Sequence, residues 1–153
     1  MQRALLVALP LAWLTGCFLL DGPMGPIPGG PLRGGELVAA PVSDWSFVDE
    51  VEEIELQLAS QSRSRTTWIL FHRGVAYVPS ATGFPPGKSW NVHAEEDGRA
   101  TLRIAGLRYP VTLSRVRDAA LVAALGGADL SKYPEGPPGQ DGTWYFAVAS
   151  RRP

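Results

Sequence analysis

Residues 54–116 read IELQLASQSRSRTTWILFHRGVAYVPSATGFPPGKSWNVHAEEDGRATLRIAGLRYPVTLSRV, and the period of their apolar positions decides the fold. Ile54, Leu56 and Leu58 alternate with Glu55 and Gln57, the period-two pattern of a half-buried strand. Thr66–His72 is a β-branched and aromatic run, and Arg73-Gly74 can turn it back into Val75–Ser80. Ala100, Leu102 and Ile104 alternate again, and Gly106 marks a turn into Leu107–Leu113. Pro110 lies inside that last run, so the side carrying its missing N–H must face away from a ladder partner. The polar, Pro-rich stretch from Thr82 to Asp97 reads as a loop.

Working outward, Asp118 is a plausible N-cap for a helix running through AALVAAL to Gly126. Gly127–Gly142 then reads as a loop, and Thr143–Ser150 as the last strand. The expectation is a mainly β domain over residues 44–153, with six strands and one or two short helices. Closure into a small barrel, complete or partial, would remove the exposed edges of a six-stranded open sheet.

The N-terminus has a different character. Arg3 is followed by an apolar run of 11 residues, Ala4–Leu14. That is too short to span a hydrocarbon core, which takes about 20 helical residues, but it suits an export signal. It meets Leu14-Thr15-Gly16-Cys17, which resembles the lipobox read by lipoprotein signal peptidase. The resemblance implies that residues 1–16 are removed and that Cys17 is acylated, anchoring the chain in a membrane. Cys17 is the only Cys of the 153-residue sequence, so an exported chain would carry no internal disulfide, and a thioether there is inert. Phe18 stands where an Asp would favour inner-membrane retention, so the expected site is the outer membrane of the envelope. Residues 21–35, DGPMGPIPGGPLRGG, hold six Gly and four Pro, and residues 17–43 are expected to form a lipidated tether.

Charge and motifs exclude several functions. The sequence holds 14 basic and 15 acidic residues, and loss of residues 1–16 removes one Arg, leaving a net charge of −2. That balance does not favour nucleic acid as a partner. No G-x-S-x-G elbow or phosphate loop of the G-x-x-x-x-G-K-[ST] type occurs. His72 and His93 are too few for a His-rich metal site. The run Asp49, Glu50, Glu52, Glu53 and Glu55 lacks the Gly and spaced oxygens of a calcium loop, so no metal is expected.

The order Arg65-Thr66-Thr67, then Ser80 and Gly83, then Trp90-Asn91-Val92, then Thr101–Ile104, Gly106 and Tyr109, resembles one group of proteins. These are the split-barrel flavin and deazaflavin binders, the deazaflavin-dependent nitroreductases related to the pyridoxamine-phosphate oxidase fold. The resemblance implies a six-stranded split β-barrel and a site for FMN or a deazaflavin, usually at a homodimer interface. Its phosphate would be met by Arg63, Arg65, Thr66, Thr67, Ser80 and Lys88, and its ring by Trp68 or Trp90. The chain departs from the group at Ser60-Gln61-Ser62-Arg63-Ser64, which replaces a Gly-Arg-Lys-Ser/Thr-Gly turn. It departs again at Trp68, where a Pro is expected. Flavins are also made and reduced inside the cell. Two readings therefore stand side by side: a cofactor-binding oxidoreductase, or a non-catalytic envelope lipoprotein whose barrel holds a small molecule or a protein partner.

Overall fold

A computed structural model describes residues 21–83, 85–136 and 142–153, so Cys17 and the export signal lie outside the described residues. Eight strands form one mainly antiparallel sheet: β1 (Glu36–Leu37), β2 (Glu53–Leu58), β3 (Ser64–Trp68), β4 (Leu70–His72), β5 (Val75–Ala81), β6 (Arg99–Ile104), β7 (Leu107–Arg115) and β8 (Thr143–Ser150). Their order is β3-β2-β6-β7-β8-β5-β4, with the short β1 parallel to β7. Two helices complete the domain, α1 (Trp90–Glu96) and α2 (Ala119–Lys132).

The sheet curls around one apolar interior. Alternate residues of every long strand point into it, among them Leu56, Leu102, Val111, Phe146 and Val78, all fully buried. A second, smaller cluster lies on the outer face, where Leu70, Tyr77 and Tyr145 pack under Leu125 of α2. Within it the Tyr145 hydroxyl donates to the fully buried Asp129 carboxylate at 3.0 Å.

The strand count is eight, not six, and the ring of hydrogen bonds is not closed. One addition is β1. The other comes from the expected single run Thr66–His72, which divides at Ile69 into β3 and β4. Before Ile69 the run pairs with β2, and after it with β5. The two edges of the sheet are therefore consecutive pieces of chain joined by one residue. At this changeover the Ile69 carbonyl has no ladder partner and is met by the end of α2. Lys132 Nζ donates to it at 3.0 Å and the Tyr133 hydroxyl at 2.8 Å. Pro110 sits at a similar changeover, where β7 leaves β1 and takes up β8.

Two other expectations are corrected. The stretch read as a loop from Thr82 to Asp97 contains α1, which buries Trp90 and Ala94, one turn apart, against the core. The second helix does not stop at Gly126 but runs to Lys132. Asp118 does cap its start, accepting from Leu121 N at 2.7 Å. Burial of Leu125 and Asp129 holds the helix together across Gly126-Gly127, outweighing a glycine penalty of about 1 kcal/mol each.

Residues 21–35, expected as a free tether, lie against the outer face of the sheet. Gly29 pairs with Ser64 at the edge strand β3, and the Ser64 hydroxyl donates to Gly30 O. Leu32 is buried, and its N–H donates to Gln57 Oε1 at 2.8 Å. Asp21 accepts from the N–H groups of Arg33 and Gly34 and pairs with Arg103 at 2.8 Å. The glycines serve close backbone approach: a Cβ on Gly29 would stand 1.7 Å from Gly22 O, and one on Gly35 2.2 Å from Gly106 O.

Candidate functional site

Successive residues of a strand face opposite ways, and this divides the expected site. Arg65 and Thr67 stand opposite Leu56 and Ile54 of β2 and so share the interior face. Thr66 stands opposite Glu55 and faces outward, where it borders a depression of about 290 Å³ with Arg103 and Pro23. Arg63 is also remote from the interior, donating to Pro28 O at 3.0 Å. Trp68 leans on Tyr133, ring centres 6.3 Å apart.

Three of the expected residues meet at one end of the barrel. The Arg65 guanidinium lies 5.8 Å from the centre of the Trp90 ring, and Lys88 Nζ lies 6.0 Å from it. Arg65 Nη2 donates to Gln61 Oε1 at 2.8 Å, and Lys88 Nζ donates to Ala81 O. Neither cation pairs with a carboxylate among the described residues. Ser80 points inward beside Val78, and its Oγ is buried without a partner among the described residues. Arg65 Nε and Asn91 Oδ1 are likewise buried with no partner among the described residues. Asn91 belonged to the Trp90-Asn91-Val92 triplet of the resemblance but was given no role there.

Burial, and then the nearby Arg65, push the Lys88 ammonium down to about 8. Burial and Arg63 lower Arg65 in the same sense. This has a measurable consequence. An unfolded chain keeps the Lys proton up to about 10.4, whereas the folded chain releases it near 8. Between those values the unfolded state binds more protons, so stability rises with pH in that window. Urea unfolding at pH 7.5, 8.5 and 9.5 should show that rise, and Lys88→Met should flatten it. An unchanged slope in the variant would show that Lys88 titrates as a solvated amine.

A flavin needs a phosphate subsite and a flat apolar wall. Arg65 and Lys88, which meet at Trp90, have the donors for the first, while Thr67 and Ser80 share only the interior face with Arg65. The ring requirement is not met by the same residues: Trp90 is 3% exposed and packs on Phe146, ring centres 5.6 Å apart. A separate depression of about 340 Å³ lies beside Arg115, Arg117 and Trp144. There the Arg115 guanidinium stacks 3.3 Å from the Trp144 ring centre and pairs with Glu95 at 3.0 Å. The arrangement holds donors for a small anion in one place and aromatic surface in others.

No family model and no curated protein matches the sequence. Among solved structures, the fold is similar to that of a Listeria innocua protein described as a "Putative Pyridoxamine 5'-phosphate oxidase". The two are 12% identical, with a TM-score of 0.51, over 69% of this chain and 89% of that one. At that identity the likeness establishes the architecture: this chain has a fold of the pyridoxamine 5'-phosphate oxidase type, a mainly β split barrel.

Proposed function

We propose that this chain is a lipid-anchored protein of the bacterial cell envelope whose split barrel binds a small phosphate- or carboxylate-bearing molecule without carrying out flavin chemistry. The anchoring reading rests on the lipobox-like Leu14-Thr15-Gly16-Cys17, and the absence of an Asp after the Cys, where Phe18 stands, favours the outer membrane. One observation carries the binding: Arg65 and Lys88 both lie about 6 Å from the Trp90 ring, and neither pairs with a carboxylate among the described residues. Half-buried cations without acidic partners lose solvation that nothing replaces, and an anion that accepts from both offsets that loss with charge-assisted hydrogen bonds. Arg65, Lys88 and Ser80 would hold the anion, Thr67 would add a hydroxyl, and Trp90 would report its arrival.

The test is competitive binding to full-length protein in detergent, read by tryptophan emission. Inorganic pyrophosphate and FMN should compete for one site, and riboflavin, which has the ring without the phosphate, should not bind. Arg65→Met with Lys88→Met should weaken pyrophosphate at least about tenfold, the loss of one 1.4 kcal/mol increment. Binding of riboflavin as tight as that of FMN would reject this reading.

It would favour the second one, an FMN- or deazaflavin-dependent oxidoreductase. The fold likeness to a described oxidase is the observation on its side. That reading needs a ring wall from elsewhere, which a second copy of the chain in a homodimer would provide.

A further inference from the structure

The chain between the expected acylation site and the folded domain is short. Four Cα–Cα steps separate Cys17 from Asp21, a reach of at most roughly 14 Å. At Asp21 the chain is already fixed: its carboxylate accepts from Arg33 N at 2.7 Å and Gly34 N at 3.0 Å and pairs with Arg103 of β6. Arg103 is in turn held by Glu55 of β2. Lipid at Cys17 would therefore bring this one side of the barrel close to the bilayer.

The same side carries exposed apolar groups. Met24 and Ile27 form a tight antiparallel pair, each N–H donating to the other's carbonyl at 3.0 Å. Residues paired in this way project to one side. They are 54% and 59% exposed, the two most exposed large apolar side chains among the described residues. Their turn borders the β6–β7 turn, since Pro23 and Gly25 line one depression with Ala105 and Gly106. Leu107, beside that turn, and Leu37, on β1 next to it, are partly exposed too. Of the charges nearby, Asp21 and Glu55 are compensated by Arg103, while Arg33, Glu36, Glu53 and Arg63 remain exposed.

We propose that the Met24–Ile27 turn is the membrane-contacting surface of the domain, dipping into the headgroup boundary while the acyl chains hold the chain end beside it. The proposal rests on acylation at Cys17. It replaces a barrel swinging on a long leash with one seated on the bilayer in a fixed orientation, β2, β3 and β6 toward the lipid and α2 away from it. A short distance to the anchor and an apolar turn beside it select a lipid surface as the occupant, because the turn need only settle where the anchor already places it.

Because Cys17 is the only native Cys, an introduced thiol in the acylated protein is the only one free for labelling. Nitroxides at Met24→Cys, Ile27→Cys and, as a control on α2, which packs against β4, β5 and β8, Leu130→Cys should be compared in full-length lipidated protein. The membrane is a phosphatidylethanolamine–phosphatidylglycerol vesicle. The expected result is that oxygen relaxes the labels at 24 and 27 more than an aqueous nickel complex does, with the order reversed at 130. Labels at 24 and 27 as open to nickel as the control, with acylation intact by mass, would overturn the proposal while leaving the anchor standing. Labels shielded from both reagents would also overturn it, by showing a protein partner on the turn. Absence of acyl mass at Cys17 would remove both the proposal and the anchoring reading.

Discussion

On the proposed anchoring, Cys17→Ser should abolish incorporation of labelled palmitate and leave the precursor heavier by its uncleaved residues 1–16. The effect is all or none because no other thiol is present to accept a diacylglycerol, and the peptidase acts on the modified Cys. A serine at the same place keeps the size and hydrogen bonding of the side chain but not the thioether chemistry. The loss of affinity is large. Each buried CH₂ contributes about 0.8 kcal/mol, and while a single myristoyl chain binds only marginally, two or more chains anchor stably. The 11-residue apolar run that remains does not replace them, being about half the length that crosses a bilayer. Palmitate labelling and intact-mass measurement on the two forms check the prediction, and labelling that persists in the variant would contradict it.

Trp90→Ala lowers stability by about 3–5 kcal/mol, the range for emptying a large aromatic site in a packed interior. For a domain of this size that is a fall in Tm of roughly 10 to 20 °C. The reason is position: Trp90 is 3% exposed, packs on Phe146, and anchors the first turn of α1 to the core. Its removal also strips Arg65 and Lys88 of the ring they lie over. Trp90→Phe, which keeps most of the apolar contact, should recover much of the loss. If the alanine variant instead melted within about 0.5 kcal/mol of the parent, as surface substitutions do, Trp90 would be a wall facing a ligand and not part of the core. Thermal unfolding by circular dichroism decides between them.

Some strands of the barrel were legible because their runs alternate with period two, and others because β-branched and aromatic runs meet turn signals such as Arg73-Gly74. What alternation does not report is hydrogen-bond partnership. Arg65, Thr67, Ile69 and Phe71 keep one phase throughout, so the run reads as a single strand although its partner changes at Ile69. The helix α1 was missed because seven residues with two buried apolar positions make too short a pattern among polar neighbours. The Gly/Pro segment was read as a tether because its composition lacks apolar mass. Its glycines instead allow backbone to lie on backbone, a use that composition cannot distinguish from freedom.

The site was partly legible for a related reason. Arg65 lies more than twenty positions before Lys88 and Trp90 in sequence, and the three do meet. Arg65, Thr66 and Thr67 are consecutive in a strand, so they cannot all face one ligand, and Thr66 turns outward. The strand geometry alone forbade that part of the expectation.

The changeover at Ile69 has a mechanical consequence. In an ordinary open sheet each edge can peel by itself, because nothing links the two rims. Here the rims are neighbouring lengths of one run, and a load that lifts β3 from β2 passes through a single residue to the pairing of β4 with β5. The Lys132 and Tyr133 side chains act as a clasp on that residue's carbonyl. Tearing the ring then requires both ladders and the end of a helix to yield together. A barrel whose hydrogen bonds never close thereby gains, through covalent continuity, the cooperativity of one that does.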